Sequence, residues 1–408
     1  MTGNSVQSDR FDVLVVGGGM IGSALALGLA RQGWSTALVD GMPAAELLSP
    51  VETAGQVDDF EPRVSAISLA SQQLLEALGA WRHVQGGRHC AYRGMTVWDA
   101  EGTGRIHFDA AELHTDALGT IVENRSIVRA LYTELANSDV ALFDAVQVRG
   151  WKPETGIELE DGRTLGATLV VGADGGQSRL RQWAGLATRE WDYNQQAIVC
   201  TVRTRQPHQY TAWQCFSTTG PLAFLPLLNE AGDAHFCSIV WSQDTVEARR
   251  LMALDAETFR AELERAIEQQ LGPIETVSRR FAFPLRQRHA KDYVTAGLAL
   301  VGDAAHTIHP LAGQGANLGY GDVAALLDEL GRARRLVLSP ADQAVLGRYQ
   351  RRRKGENLSM MAAMEGFKQL FARDELPFRW LRNTGMRWLD NLAPLKNRVA
   401  AEAMGIKR

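Results

Sequence analysis

Gly17, Gly19 and Gly22 are spaced Gly-x-Gly-x-x-Gly, directly after the apolar residues 11–16 and before an apolar stretch of helical length, 23–31. Glycines at this spacing let the chain turn tightly, approach a pyrophosphate closely and pack the following helix on its sheet. The backbone of Met20 and Ile21 would open that helix, whose free N–H groups and positive end face the phosphates. Asp40 ends a second strand-like run, 35–40, and stands 18 residues beyond Gly22. A carboxylate there can accept both hydroxyl hydrogens of an adenosine ribose. Alone, such a glycine pattern is as often an empty turn as a ligand site; strand, helix, spacing and carboxylate together make it a dinucleotide site. It does not separate FAD from NAD.

Two distal segments make that distinction. Gly172-Ala173-Asp174-Gly175-Gly176-Gln177-Ser178-Arg179-Leu180-Arg181 resembles the Asp-Gly motif of class A flavin monooxygenases, Asp-Gly-x-x-Ser-x-x-Arg, with Asp174, Gly175, Ser178 and Arg181 matching. The resemblance implies a place near the FAD pyrophosphate and the nicotinamide approach. Gly302-Asp303-Ala304-Ala305-His306, with Pro310, Gly313, Gln314, Gly315, Ala316 and Asn317 after it, resembles the second FAD fingerprint, whose aspartate, here Asp303, accepts from the ribityl chain. Residues 313–317 precede an apolar helix, 318–330, so unpaired N–H groups and a positive helix end could face an anion such as reduced flavin. Pro310 would lie beside the reactive edge of the ring.

With these stretches, Phe60-Glu61-Pro62-Arg63-Val64-Ser65-Ala66-Ile67-Ser68, Glu123-Asn124-Arg125 and Gly220-Pro221-Leu222-Ala223-Phe224-Leu225-Pro226-Leu227, the chain resembles the ubiquinone-biosynthesis FAD-dependent hydroxylases (the UbiH/UbiF/UbiI/VisC group). These are similar in fold to para-hydroxybenzoate hydroxylase. The resemblance spans nearly the whole length. It implies that Arg63 and Arg125 reach the FAD phosphate and ribityl region, and that Val148 offers a backbone contact to adenine. Two positions depart from the usual pattern: Asp40 stands where Glu is commoner, a shorter reach to the ribose, and Gly176-Gln177 replaces Ala-Asn.

The implied activity is hydroxylation of a polyprenylated phenol in ubiquinone biosynthesis, through a flavin C4a-hydroperoxide formed from O2. With only one glycine fingerprint present, NADH or NADPH would visit transiently to reduce bound FAD. Such chemistry needs an apolar, water-excluding lining; Phe224, Leu225 and Pro226 are candidates for substrate contact, against the alternative of simple core packing. No catalytic side chain is assigned. A loop histidine is more often structural than catalytic, so His306 and His309 carry no role. An epoxidase or polyprenyl reductase of the same fold, or a non-catalytic FAD-containing subunit of a quinone-biosynthesis complex, remains an alternative.

The elements that must position these residues read as an α/β protein: a Rossmann-like FAD-binding domain, an inserted mixed β-sheet substrate domain and a helical C-terminus. The FAD-binding domain is assembled from 1–79, 105–185 and 285–350, the substrate domain from 80–104 and 186–284, and the helical region is 351–408. Apolar runs at 169–174 and 298–303 read as buried parallel strands. Residues 197–203, 211–216, 223–227 and 235–241 read as strands of the insert, 256–271 as a helix, and Pro377 and Pro394 as breaks in the helical tail.

Composition agrees with a globular enzyme: 408 residues, 45% hydrophobic, 22% charged and a net charge of −4, without the basic clusters that mark a nucleic-acid partner. Four dispersed cysteines form no Cys-x-x-Cys pair, so no metal site is expected and a reducing cytoplasm fits. No signal peptide or bilayer-spanning run is evident. Basic and aromatic residues interleave from Gly366 to Arg408. That pattern suits a membrane surface, here the inner face of the plasma membrane, or a quinone-biosynthesis complex; helices packed on the protein body fit it equally well.

Overall fold

The computed structural model describes residues 10–49, 55–307, 315–372, 375, 382–386, 388, 390 and 392–404. Arg10–Val16 is an apolar strand at the centre of the first sheet, with Val13, Leu14 and Val15 fully buried. It pairs in parallel with Thr36–Val39 on one side and Thr164–Gly172 on the other; Ala141–Phe143 and Leu298–Leu300 extend the parallel order outward. The chain adds strands first to one side of Arg10–Val16 and then to the other. The order therefore reverses beside the central strand, and crevices for ligands form where it does, at the carboxyl ends of the strands. Register brings Val16, Gly172 and Leu300 level, so the three glycine–aspartate segments leave the sheet along one edge. Helices Met20–Arg31 and Gly315–Arg335 pack together because Gly28 has no Cβ; one would stand 2.5 Å from Leu327 Cδ1.

A second, nine-stranded sheet reaches that edge through His306–Thr307, which pairs antiparallel with Phe281–Ala290. Its longest member, Thr188–Thr204, pairs antiparallel with Phe236–Asp244 and with Phe281–Ala290. Gly220–Leu227, Thr211–Ser217, Gly94–Asp99 and Arg105–Asp109 complete the path, with a single parallel pairing, between Thr211–Ser217 and Gly94–Asp99. Side chains alternate across it. Ile198, Cys200, Leu222, Phe224, Ile239 and Trp241 pack under helices Thr245–Ala253 and Ala256–Ala266. Ala223, Leu225 and Leu227 face the other way, against Phe60, Ala66 and Ile121 around a three-stranded sheet of Val64–Ile67, Gly119–Glu123 and Cys90–Tyr92.

Several expectations shift. The strand read at 197–203 begins at Thr188; its polar first half is held by Phe281–Ala290, across a register break between Asp192 and Gln195 where Asn194 takes φ 51°. Pairing carries Arg105–Asp109 and the segment 285–290, read as parts of the FAD-binding portion, into the second sheet. The helix read to Leu271 stops at Ala266, and Glu268 and Gln269 turn the chain with φ 55° and 52°.

The tail forms Gln343–Ala372 and Ala393–Ala403, the latter with Pro394 in its first turn, where a missing N–H costs nothing; Pro377 lies outside the described residues. Phe371, Met386, Ala400, Ala401 and Met404 pack on Ile106, Phe108 and Phe216 of the second sheet. Arg382 is paired with Asp99 at 2.6 Å, both fully buried, and Lys396 with Glu112 at 2.9 Å. These two cations of the basic–aromatic stretch thus fasten the tail to the protein, while Trp388 is exposed.

Candidate cofactor site

Each glycine of the fingerprint has a separate steric reason. Gly17 turns with φ 105°, and a Cβ there would meet the Ala173 carbonyl oxygen at 2.4 Å. A Cβ on Gly22 would stand 1.8 Å from the Gly17 carbonyl oxygen, so the helix could not sit on the strand. A Cβ on Gly19 would meet nothing within 4 Å, which leaves that side of its backbone open to a ligand. Gly19 is also the N-cap of Met20–Arg31 and gives no side-chain hydrogen bond, so the helix start remains available to an anion. Ile21 packs in the space that Gly302 and Gly319 leave free, where Cβ atoms would come within 3.3 and 2.7 Å of it. The first and third motifs are therefore in direct contact.

Asp40, half-buried at the end of Thr36–Val39, accepts from the Gly18 N–H through Oδ2 and from the Met42 N–H at 2.7 Å through Oδ1. Its carboxylate is thereby fixed beside the fingerprint. The hydroxyl of Tyr132, a buried residue next to Gly18, has no hydrogen-bond partner.

The middle motif orders its own turn. Asp174 Oδ2 accepts from the N–H groups of Arg179 and Leu180 at 2.8 and 3.2 Å, so the carboxylate serves the start of helix Arg179–Trp183. Ser178 caps the same helix by accepting from the Arg181 N–H at 3.0 Å. Asp174 Oδ1 is buried without a partner. Arg181, buried, donates to the carbonyls of Ala304 at 2.7 Å and Gly176 at 2.9 Å, which joins the second motif to the third. Val148 starts strand Val148–Lys152, and its carbonyl accepts from Arg179 Nη1 at 3.2 Å. Beside this turn, Gln177, Arg179, Arg181, Gln182, Glu190 and Arg288 line a polar cavity of about 580 Å³.

Gly302 turns with φ 59° and leads into Asp303. Asp303 is exposed to solvent on one side, with protein packed around its others. Those surroundings push its carboxyl above the usual range, against the opposing charges of His306 and Arg63. Arg63 is exposed, 5.8 Å from the ring centre of Phe283. Arg125 forms an open pair with Glu61 at 3.4 Å. Gly315 and Ala316 start Gly315–Arg335 and are half-buried. Asn317 donates to the Ala66 carbonyl at 2.8 Å and accepts from Ser68 N–H and Ser71 Oγ at 3.0 and 2.8 Å, clamping the helix to the Arg63 segment. Pro310, Gly313 and Gln314 lie outside the described residues, as does His309.

The lining reading needs correction at Phe224. Strand alternation places it, fully buried, with Trp241 and Phe259 under the helices, on the face away from the cofactor edge; Pro226 shares its parity. Leu225 is on the facing side. There Ala197, Val199, Val240 and Leu285 continue the apolar surface, and Phe283 shares the parity of Leu285 and is 36% exposed. Sequence reading missed Phe283 because Pro284 and the arginines around it disguise a strand. It also missed Asp322, a fully buried carboxylate in the run 318–330, whose position in a buried stripe was the available signal.

The residues fit a bound dinucleotide: an uncapped helix start, glycine backbone open at Gly19, and buried polar atoms at Tyr132 and Asp174 with no partner in the protein. Comparison with known proteins decides which. Residues 10–362 match the family model described as FAD binding domain. The chain is 39% identical to Escherichia coli 3-demethoxyubiquinol 3-hydroxylase over 97% of this chain and 98% of that one. The chain belongs to the ubiquinone-biosynthesis FAD hydroxylases. Within that family, Rhodospirillum rubrum ubiquinone hydroxylase UbiL is 38% identical over 97% and 89% of the two chains, and human ubiquinone biosynthesis monooxygenase COQ6 33% over 96% and 92%. The fold is that of solved flavin monooxygenases: Pseudomonas aeruginosa PqsL has a TM-score of 0.74 at 23% identity, covering 93% of this chain and all of that one. Pseudomonas putida p-nitrophenol 4-monooxygenase PnpA has 0.76 at 18%, covering 98% and 100%.

Proposed function

We propose that this family member hydroxylates a ring carbon of a polyprenylated phenol in ubiquinone biosynthesis, using FAD, O2 and a transient NADH or NADPH. One observation carries the reading: three glycine–aspartate turns meet on a single sheet edge, and the second sheet, with Val240, Leu285 and the partly exposed Phe283 on one face, reaches that edge where Arg63 stands 5.8 Å from the Phe283 ring and His306–Thr307 pairs with Phe281–Ala290. Bound FAD supplies the electron transfer and oxygen activation. The chain's own part is to bind, orient and keep dry. The helix start at Gly19 and the backbone of Met20 and Ile21 receive the pyrophosphate, Asp40 the ribose, and Asp303 the ribityl hydroxyls, with Arg63 and Arg125 near the phosphate and ribityl region. Asp174 shapes the turn beside the pyrophosphate through Oδ2, its Oδ1 being unpartnered. The apolar face excludes water and sets the phenol ring against the cofactor edge.

A lipophilic substrate favours work at the inner face of the plasma membrane or within a quinone-biosynthesis complex. Among the described residues no helix is long and apolar enough to cross a bilayer, so any contact with lipid by these residues is from the side. The test is aerobic turnover of purified protein with FAD, NAD(P)H, a prenylated phenol and 18-O2. One labelled oxygen in the product supports the proposal. NAD(P)H oxidation that ignores the phenol and yields only peroxide defeats it.

A further inference from the structure

Behind the 302–307 turn lies a buried polar cluster that the roles above leave unused. Asp322, fully buried in Gly315–Arg335, accepts from the Gly302 N–H at 2.9 Å and meets His306 Nε2 at 2.6 Å through the same oxygen, Oδ2. Its Oδ1 accepts from Arg353 Nε at 2.7 Å and from Asn357 Nδ2 at 3.3 Å. Arg353 also donates to Asn357 Oδ1 at 2.8 Å and to the Leu318 carbonyl at 3.1 Å. Asn357 Nδ2 reaches the Tyr293 hydroxyl at 3.2 Å, which meets His289 Nε2 at 2.9 Å; His289 is the register partner of His306. Burial disfavours a charged Asp322, yet His306 and Arg353 outweigh it and hold the carboxyl below its usual range.

A carboxylate and a guanidinium removed from water are poor devices for stability alone, since apolar residues of similar volume commonly serve as well or better. What an apolar side chain could not supply is the pair of contacts on either side of Asp303. Asp322 holds the Gly302 N–H, one residue before it, where the chain turns with φ 59°. It also holds the ring of His306, three residues after it, and His306 in turn acts on the Asp303 charge. Arg353 keeps the acceptor ionised and ties it to the first turn of the helix through Leu318.

We propose that Asp322 is the positioning residue of the third motif, fixing Asp303 toward FAD through Gly302 and His306. The proposal rests on the reading of the 302–307 turn as part of the FAD site. Its test uses full-length apoprotein of the wild type, Asp322→Asn, His306→Gln and the double variant, titrated with FAD by flavin fluorescence quenching, with visible spectra and melting temperatures alongside. Loss of a charge-assisted contact should raise the FAD Kd roughly tenfold or more in each single variant and alter the bound-flavin spectrum. The double variant should be no worse than the weaker single one, because both changes break one contact. His306→Gln retains the Asp322–Arg353 pair, so it answers the question even if Asp322→Asn does not fold. Wild-type Kd and spectrum in a folded His306→Gln protein would overturn the proposal, as would additive effects in the double variant. Failure of the wild type itself to bind FAD would overturn the site reading, and the proposal with it.

Discussion

The two walls of the cleft are built on opposite principles. On the dinucleotide side the useful surface is backbone, and what matters is where side chains are missing: Gly17, Gly19 and Gly22 each leave a space that an added carbon would close or that a ligand can enter. On the facing sheet the useful surface is side chain, and what matters is parity: Leu225 belongs to the face packed on Phe60, Ala66 and Ile121 next to the Arg63 segment, and Phe224, its neighbour, to a separate core. A glycine site therefore fails by addition, and a sheet site fails by truncation or by a slip of one residue. Gly22→Ala tests the first half most severely. Its Cβ would lie 1.8 Å from a carbonyl oxygen of the same turn, a clash that no rotamer relieves. The expected result is protein without bound flavin and with little soluble yield, measured by the visible spectrum of freshly purified material. A yellow, wild-type-like Gly22→Ala protein would break the comparison.

The second half is tested by paired changes on adjacent residues. Phe224→Ala should cost about 3–5 kcal/mol of stability, the usual range for a large buried ring, with little effect on KM for the aromatic substrate. Leu225→Met, nearly volume-conserving, should cost less than about 1.5 kcal/mol yet change KM or the fraction of NAD(P)H oxidation coupled to product. Denaturant unfolding and steady-state kinetics on both variants give the answer. The reverse pattern would mean that the face assignment of this strand is wrong.

That contrast also explains what could be read from the chain alone. The fingerprint, the strand before it and Asp40 are local in sequence, so spacing sufficed to place them on one edge. The joining of the three motifs was legible as pattern, but its means were not: Ile21 against Gly302, Arg181 on the Ala304 carbonyl and Asn317 on the Arg63 segment are contacts between residues far apart in the chain. Asn317 and Asp174, polar residues inside ligand motifs, turned out to brace the turns. In the insert, the apolar halves of strands were visible, whereas 188–196 is polar and becomes a strand only because Phe281–Ala290 lies beside it. Phe224 was misplaced because apolar character reveals burial but not which face is buried.

Acid should weaken the two walls through different histidines. His208, under the second sheet, and His289, at its junction with the first, both have pKa values pushed down to about 4, chiefly by burial. In the unfolded chain a histidine titrates near 6.5, so between pH 6.5 and 4 the unfolded state holds more protons and stability falls as pH falls. Above pH 6.5 the contribution is complete. Each site can account for as much as roughly 3 kcal/mol across that window. His208 accepts from the Tyr210 N–H and pairs with the Leu227 carbonyl at 3.0 Å, so the loss begins in the insert if His208 dominates. Denaturant unfolding at pH 7 and pH 5, repeated on His208→Asn, should show a shallower pH slope in the variant. An unchanged slope would assign the acid sensitivity to the other wall.

The smallest effect on stability, and the finest test of the contrast, belongs to Arg125. Its pair with Glu61 spans 3.4 Å with side chains 37% and 33% exposed, and its other contact, the Glu46 carbonyl, is also at 3.4 Å. Exposed pairs of this kind contribute about 0–1 kcal/mol, so Arg125→Ala should change unfolding free energy by less than about 0.5 kcal/mol. A guanidinium so loosely held by its own protein is free to meet a phosphate without first breaking a strong bond. FAD affinity should therefore fall about threefold to tenfold in the same variant, a loss far larger than its effect on the fold. Arg382, buried against Asp99 at 2.6 Å, is the opposite case, where removal of one partner strands a charge and the fold bears the cost. If Arg125→Ala instead leaves the FAD Kd unchanged while lowering stability, the arginine belongs to the frame of the dinucleotide wall, and the phosphate must be held by backbone and Arg63.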